Sequence, residues 1–320
     1  MDRLKPVAKV QNLIIHGYMD GFFSLSNSPF YGHHKFSAID LYPNRGKYSD
    51  EVPSPVAGSV TALRKFSAPT SLYFERPKHE HVIVIANPED SRLCYKILHA
   101  DPCVSVGEKV EIGDNLGTFV KSGLFCFWTD PHIHVEIRDR TDPIRARGGY
   151  ALQLITQRPH AKKYHGCGSV DCISGRVIES KKEYVIIKPA HDIISTVNGY
   201  SGIGVRIGHE FGILDGGIPH YGYGGVLVED SAKVEQDAKV CLGVTEMGSV
   251  TRTFDSNYLQ FQCDGLSLAN DSIDFRGISS YLHFHRPEGI KLVYRTFDDH
   301  GLRIGQTLDL GLKKPPAKGF

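Results

Sequence analysis

The sequence predicts an all-β protein with two domains, and three observations support this. Its 320 residues include 33 glycines and 17 prolines, which favour turns over long helices. Tyrosine, phenylalanine, valine and isoleucine recur in runs of strand length. In the second half, no segment long enough to form a helix has helical periodicity. The length also exceeds that of one typical domain. We place the boundary where arginines, prolines and a Gly-Gly pair accumulate, and predict a mainly β domain over 1–150 and a second over 151–320.

The predicted strands of the first half are bounded by recognisable turns. A polar turn at 87–92 separates two apolar runs and predicts a hairpin. Glycines spaced between valines and charged residues at 104–119 are typical of short strands in a compact sandwich or barrel. The strand segments are VPSPVAGSV (52–60), HVIVIA (81–86), LCYKIL (93–98), VSVGEKVEIGDNLGTF (104–119) and PHIHVEIRD (131–139).

Composition and charge exclude several functional classes. Lysine and arginine total 37 against 36 acidic residues, so the chain lacks the basic surface expected of a nucleic-acid-binding protein. The N-terminus has no long apolar run and no later segment reaches eighteen apolar residues, which predicts neither a signal peptide nor a membrane span. Seven cysteines, an odd number, suit a reducing compartment. We therefore expect a soluble protein, which is cytoplasmic unless lysis releases it or a leader is missing from this sequence. The oligomeric state is not predicted.

Polar side chains that suit a metal site lie along the strand at 131–139. Because side chains alternate in a strand, His132, His134, Glu136 and Arg138 share one face, and the two histidines stand about 7 Å apart. Such a row is costly unless its groups have partners or water. A His-x-His pair by itself is more often an ordinary polar strand face, so a metal site needs further residues.

A carboxylate and another imidazole occur near residue 40. Counting back in twos from Asp40 along an extended chain reaches His34, whereas His33 points away unless the chain turns there. Zinc hydrolases use three nitrogen or oxygen ligands and leave a fourth position for a water, which a neighbouring base or acid assists. Two histidines and one aspartate, with further histidines alongside, would meet that requirement.

Four blocks of the first half occur in a distinctive order, namely GHHKFSAIDLYP, VPSPVAGSV, LHADPCVSVGEKVEIGDNLG and PHIHVEIRD. In that order they resemble the lysostaphin-type zinc endopeptidases, over roughly residues 30–150. The resemblance implies a barrel-sandwich-hybrid (duplicated hybrid motif) fold for the first domain. It implies His34, Asp40 and His134 as zinc ligands. It also implies His99 and His132 as catalytic histidines that orient the water and stabilise the oxyanion.

Two features depart from the pattern of that family. There the first ligand lies four residues before the aspartate, a position that Phe36 occupies here, so His34 or His33 must serve from a longer loop. SGLFCFWTD at 122–130 also stands where a serine- and glycine-rich turn is common. Either change shapes a different substrate groove or marks a site that has lost activity.

The leading hypothesis is a zinc endopeptidase that hydrolyses a peptide amide bond, followed by a β domain that positions the substrate or mediates assembly. The resemblance implies cell-wall peptidoglycan cross-links as the substrate class. An alternative is a catalytically degenerate, peptidase-like module for binding or regulation. A biotinyl- or lipoyl-type carrier would need an exposed lysine at a hairpin tip, which the expected stretch lacks. A second metal site among His209, His220, His283 and His285 also stays open.

Overall fold

The computed structural model describes residues 4–88, 90–157, 172–263, 265–270 and 273–313. Within these residues strands dominate, and the predicted all-β class is confirmed. The chain divides into two compact units. The N-terminal unit comprises the described residues up to Leu25 together with Pro29–Ile155, and the C-terminal unit comprises Ser26–Ser28 together with the described residues from Thr156 onwards.

The N-terminal unit is built from short strands and one helix of four residues. Its elements are β1 (Leu4–Val10), β2 (Leu13–Tyr18), β3 (Phe22–Ser24), α1 (Tyr31–His34), β4 (Ala38–Tyr42), β5 (Glu51–Pro53), β6 (Gly58–Ser67), β7 (His79–Ala86), β8 (Leu93–Leu98), β9 (Ala100–Pro102), β10 (Lys109–Val110), β11 (Asn115–Phe119), β12 (Ile133–Asp139) and β13 (Gln153–Leu154).

The main sheet of this unit is antiparallel throughout. Its strand order is β10-β6-β7-β8-β12-β4-β3. Two smaller antiparallel sheets have the orders β13-β1-β2 and β5-β11-β9. Strand β12 lies inside the main sheet, so its backbone groups are paired on both sides, with β8 and with β4. This position gives the polar face of β12 two neighbouring strands from which partners can come.

The side chains of β12 alternate between an apolar and a polar face. Ile133, Val135 and Ile137 are fully buried on the apolar face. Each such side chain contributes about 1.5–3 kcal/mol through the hydrophobic effect. A slip of one residue would exchange the two faces, so this burial fixes the register of β12. The register in turn sets which polar side chains meet across the sheet.

The C-terminal unit is also antiparallel, and an apolar core that includes Val205, Val226, Phe261 and Leu292 lies among its strands. No described helix has the length and apolar composition that a membrane crossing requires. The elements of the C-terminal unit are β14 (Cys172–Ser180), β15 (Tyr184–Pro189), β16 (Ile194–Val197), β17 (Tyr200–Ile207), β18 (Glu210–Ile218), β19 (Tyr223–Val228), a 3-10 helix (Ser231–Lys233), β20 (Lys239–Leu242), β21 (Thr245–Asp255), β22 (Tyr258–Cys263), β23 (Ser267–Ala269), β24 (Asp274–Ser280), β25 (Leu282–His283), β26 (Ile290–Tyr294) and β27 (Thr307–Lys313).

Candidate metal centre

Three buried side chains of the N-terminal unit meet at one point. His33 Nε2 lies 3.3 Å from Asp40 Oδ1, and His134 Nδ1 lies 2.9 Å from the same oxygen. The two histidine nitrogens are 3.2 Å apart. A tetrahedral zinc ion with bonds of about 2.0–2.1 Å needs ligand atoms about 3.3–3.4 Å from one another. The three atoms therefore form a triangle close in size to one face of a tetrahedral zinc site.

The register of the sheet and a close approach of α1 assemble this triangle. His134 on β12 lies directly opposite Asp40 on β4, so the two side chains share one face of the sheet. His33 comes from α1, where Gly32 packs against β4. A Cβ atom added to Gly32 would lie 2.9 Å from the Cβ atom of Ala38. Only glycine therefore fits here without displacing α1 from the sheet.

An outer hydrogen bond occupies one nitrogen of each histidine ring, and the other nitrogen of each ring faces the site. His33 donates from Nδ1 to the carbonyl oxygen of Leu25, at 3.0 Å, so Nε2 is the nitrogen that faces Asp40. His134 donates from Nε2 to Glu136 Oε1, at 3.1 Å, which leaves Nδ1 facing Asp40. Such outer partners are what fixes the tautomer of a metal-binding histidine.

The structure brings His33, and not His34, to Asp40. The counting that favoured His34 assumed an extended chain, and that assumption is wrong, because residues 31–34 form a helical turn. Successive helical residues point about 100° apart, so His33 turns inward while His34 stays half-buried outside the triangle. The other possibility left open by the sequence, a first ligand at His33, is the one that the geometry favours.

Electrostatics in the triangle favour a bound cation. Burial raises the pKa of Asp40, but the charges of His33 and His132 and the hydrogen bond from His134 hold this pKa well below its usual range. Burial lowers the pKa of His134, yet the hydrogen bonds to Asp40 and Glu136 and the charges of these two carboxylates together raise that pKa to about 9. The pocket thus stabilises a positive charge next to Asp40, and a divalent metal ion would replace the proton of His134.

A buried ion network stands behind His134. Glu136 Oε1 accepts from Lys96 Nζ at 2.9 Å, and Glu136 Oε2 accepts from Arg138 Nη1 at 2.8 Å. Burial raises the pKa of Glu136, but its contacts with His134 and Lys96 lower that pKa to about 2. Arg138, which is fully buried, also donates to the carbonyl oxygens of Asp142 and Arg147. Glu136 is therefore ionised at neutral pH, and it holds His134 in place by accepting from Nε2.

The two histidines predicted to be catalytic lie beside the triangle. The ring centroid of His132 is 5.1 Å from that of His99, and His99 is 6.0 Å from His134. His132 donates from Nδ1 to the carbonyl oxygen of Asp130, so its Nε2 faces Asp40 Oδ2 at 3.6 Å. Burial lowers the pKa of His132 to about 4, although the charge of Asp40 opposes this. His132 is therefore neutral at pH 7 and able to accept a proton.

The sequence analysis missed Glu80, the partner of His99, and Ser122, which in turn donates to Glu80. His99 donates from Nδ1 to Glu80 Oε1 in a short contact, and Ser122 donates from Oγ to Glu80 Oε2. Burial raises the pKa of Glu80, but the charge of His99, the hydrogen bonds from His99 and Ser122 and the charge of His132 together hold this pKa below its usual value. Strand alternation offered a signal, because residue 80 shares its face with Val82 and Val84, which are apolar and buried.

The aromatic side chain of Phe125 covers His99 and His132, the two outer histidines of the site. Phe125 stacks on His132 with 4.4 Å between ring centroids and meets the edge of His99 at 4.6 Å. It comes from the unusual loop at 122–130 and is itself almost buried. Tyr42 also packs on His132, with 4.6 Å between the ring centroids. His99 and His132 thus lie against aromatic side chains of low polarity, which strengthens electrostatic interactions inside the site.

Among the residues that the structure describes, His33, Asp40 and His134 form the one group of three or more metal-binding side chains within ligand distance of one another. The histidines at 209, 220, 283 and 285 therefore form no second group of this kind in the described part of the chain.

Both halves of the chain match one protein family. Residues 10–154 match the N-terminal domain of the domain of unknown function DUF8155, and residues 172–313 match its C-terminal domain. The chain contains both DUF8155 domains. The candidate triangle lies within the residues that match the DUF8155 N-terminal domain. No curated protein matches the sequence.

Solved structures similar to this DUF8155 chain include zinc and antimicrobial peptidases. The catalytic domain of the antimicrobial peptidase lysostaphin from Staphylococcus simulans is 18% identical, with a TM-score of 0.23, over 37% of this chain and 77% of that chain. A zinc-containing peptidase from Vibrio cholerae is 19% identical, with a TM-score of 0.26, over 44% and 45%. Lysostaphin itself is 11% identical, with a TM-score of 0.26, over 92% and 95%. At these values the likeness is too distant to indicate a function.

Proposed function

We propose that the chain is a zinc-dependent endopeptidase whose site lies in its N-terminal domain, residues 1–150. The observation that supports this most strongly is the triangle of ligand atoms with edges of 2.9–3.3 Å. Two imidazoles and one carboxylate are a donor set of catalytic zinc sites, whereas structural sites are usually rich in cysteine. His33, Asp40 and His134 would hold the ion, and zinc bound there would supply an acidified water and a positive charge for the substrate carbonyl.

The two outer histidines would have different roles: His132 would accept a proton, and His99 would stabilise the oxyanion. His132 is neutral and turns Nε2 toward the triangle, so it accepts a proton from the attacking water. His99 donates from Nδ1 to Glu80, so Nε2 is the nitrogen that would face the developing oxyanion, and the protonated ring would donate to it from there. Both rings are nearly buried, which makes these interactions stronger than they would be in water.

The substrate that we propose is a peptide, with cell-wall peptidoglycan cross-links as the first candidates. This choice rests on the order of the four sequence blocks and on the histidine pair. The second domain, residues 151–320, would position that substrate or mediate assembly.

Peptide hydrolysis by the zinc-loaded full chain tests this function. Oligoglycine peptides, purified peptidoglycan and a mixed peptide library are incubated with the protein, and new termini are identified by mass spectrometry. We expect cleavage that a chelator abolishes and added zinc restores. His99→Ala and His132→Ala should keep zinc and lose turnover, whereas His134→Ala should lose both. His209→Ala, which changes an exposed histidine, is the matched control.

One observation favours a non-catalytic alternative, namely a degenerate module for binding or regulation. Phe125 packs on both outer histidines and leaves little of either ring exposed. A protein that never binds stoichiometric zinc, or that binds it without cleaving any peptide even after Phe125→Ala, would support the alternative and contradict the hydrolase.

A further inference from the structure

We propose that Glu80 is a positioning residue that holds His99 with its Nε2 directed into the metal site. The catalytic consequence of this inference rests on the hydrolase function proposed above, whereas the orientation of the ring does not. Glu80 lies on β7, outside the triangle and outside every residue set that the sequence pattern selected. It acts on the site only through His99.

Burial shows that the carboxylate of Glu80 needs both of its partners. The residue is 1% exposed, and an ionised carboxylate without partners at such a position would be very costly. One oxygen accepts from His99 Nδ1, and the other accepts from Ser122 Oγ. The hydroxyl oxygen of Ser122 also accepts from the backbone N–H of Leu124, at 3.0 Å. The carboxylate is thus clamped between the histidine and the start of the loop at 122–130.

The backbone at His99 adds a second constraint on the ring. His99 has a φ of +73°, in the left-handed region that residues other than glycine rarely adopt. Regular alternation after Leu98 would send the side chain of residue 99 to the opposite face of the sheet. The left-handed residue instead places the ring next to His132 and His134. A strained backbone that delivers a ring to a polar cluster is typical of a functional position.

The tautomer of His99 follows from these contacts. With Nδ1–H donated to Glu80, a neutral ring carries its lone pair on Nε2, and a protonated ring has one further donor there. In both states Nε2 faces away from Glu80. A buried ion pair gives the fold little more stability than apolar side chains of the same volume would. The arrangement is therefore better explained by the orientation of His99 than by stability.

Substitutions of Glu80 in the zinc-loaded full chain test the inference. Glu80→Gln keeps the shape and removes the charge, and we expect zinc content and KM to stay unchanged while kcat falls about 10–100-fold. Glu80→Asp restores the charge on a shorter side chain and should recover part of kcat. Glu108→Gln, which changes an exposed carboxylate of the same domain, is the control and should have wild-type kcat.

Nitrogen NMR of the histidine rings provides a readout that needs no substrate. Long-range proton–nitrogen spectra of the wild-type chain should show His99 protonated at Nδ1, and Glu80→Ala should redistribute that proton between the two nitrogens. A wild-type ring protonated only at Nε2 would overturn the inference, as would an unchanged kcat in Glu80→Gln. If the wild-type chain cleaves no peptide, the hydrolase proposal fails, and the spectra still decide whether Glu80 orients His99.

Discussion

Replacing His33 by alanine should remove zinc from the full chain, whereas replacing His34 should leave zinc bound. The two residues are neighbours and have the same side chain, so each variant is the control for the other. His33 contributes one corner of the ligand triangle, at 3.3 Å from Asp40 Oδ1 and 3.2 Å from His134 Nδ1. His34 lies half-buried outside that triangle. The contrast between the two variants therefore depends on the helical turn at residues 31–34.

The size of the effect follows from the number of ligands. Apparent binding free energies of zinc in small protein sites are about 10–16 kcal/mol. If three protein ligands share that energy about equally, removal of one costs roughly 3–5 kcal/mol, or about 10²–10⁴-fold in affinity. His33→Ala also removes the donor to the carbonyl oxygen of Leu25, which costs about 1 kcal/mol of stability. His34→Ala should change zinc affinity less than about threefold.

Competition against a coloured zinc chelator measures these affinities, and elemental analysis of the dialysed proteins gives the zinc content. Near-ultraviolet circular dichroism checks that both variants keep the wild-type fold. Equal loss of zinc in the two folded variants would refute the helical-turn geometry. Retention of zinc by folded His33→Ala would refute the triangle itself as the metal site.

Three further perturbations test other parts of the structure. Glu136→Gln should weaken zinc binding about 10–100-fold in the same competition assay, because the anion that holds His134 is lost. Gly32→Ala should lower the free energy of unfolding by about 1–3 kcal/mol and weaken zinc binding, because its Cβ would lie 2.9 Å from the Cβ of Ala38. Burial lowers the pKa of His220 to about 3, so the unfolded chain binds more protons between pH 6.5 and 3 and stability falls as the pH drops through that window. From pH 7 to pH 5 the loss from this residue is about 2 kcal/mol, measured by urea titration, and His220→Gln should remove it.

Two of these perturbations have a matched control variant, and each of the three has a contradicting result. Glu108→Gln controls for Glu136→Gln, and equal zinc affinities of the two variants would contradict the role of Glu136. Wild-type stability and zinc affinity in Gly32→Ala would show that α1 does not pack closely on β4. His209→Gln changes an exposed histidine of the C-terminal unit, so the same pH dependence in both glutamine variants would contradict a buried, neutral His220.

The two faces of β12 could be predicted from the periodicity of its sequence. A period of two places His132, His134 and Glu136 on one face whatever the surroundings, because alternation is a property of the extended backbone. The same rule placed Ile133, Val135 and Ile137 on the apolar face, where they are fully buried. Glycine and proline content likewise predicted strands and turns, since both residues disfavour helix interiors. The all-β class could therefore be predicted from local properties of the chain.

The choice between His33 and His34 lay beyond those local rules. A four-residue helix has no periodicity long enough to detect, and its formation depends on Gly32 packing against β4. The rule that predicted the alternation of β12 thus pointed to His34 when it was applied to a turn, whereas His33 is the residue that lies next to Asp40.

The sequence by itself determined the strand content, the alternating face of β12 and the presence of an aspartate and several histidines that suit zinc. Only the tertiary structure decided which of them meet, because Glu80 and Asp40 reach the histidines, and Lys96 reaches Glu136, across strands distant in sequence. Partners of this kind depend on strand register and on the burial of charge. Both are properties of the assembled sheet, and neither leaves a pattern in any single segment of the chain.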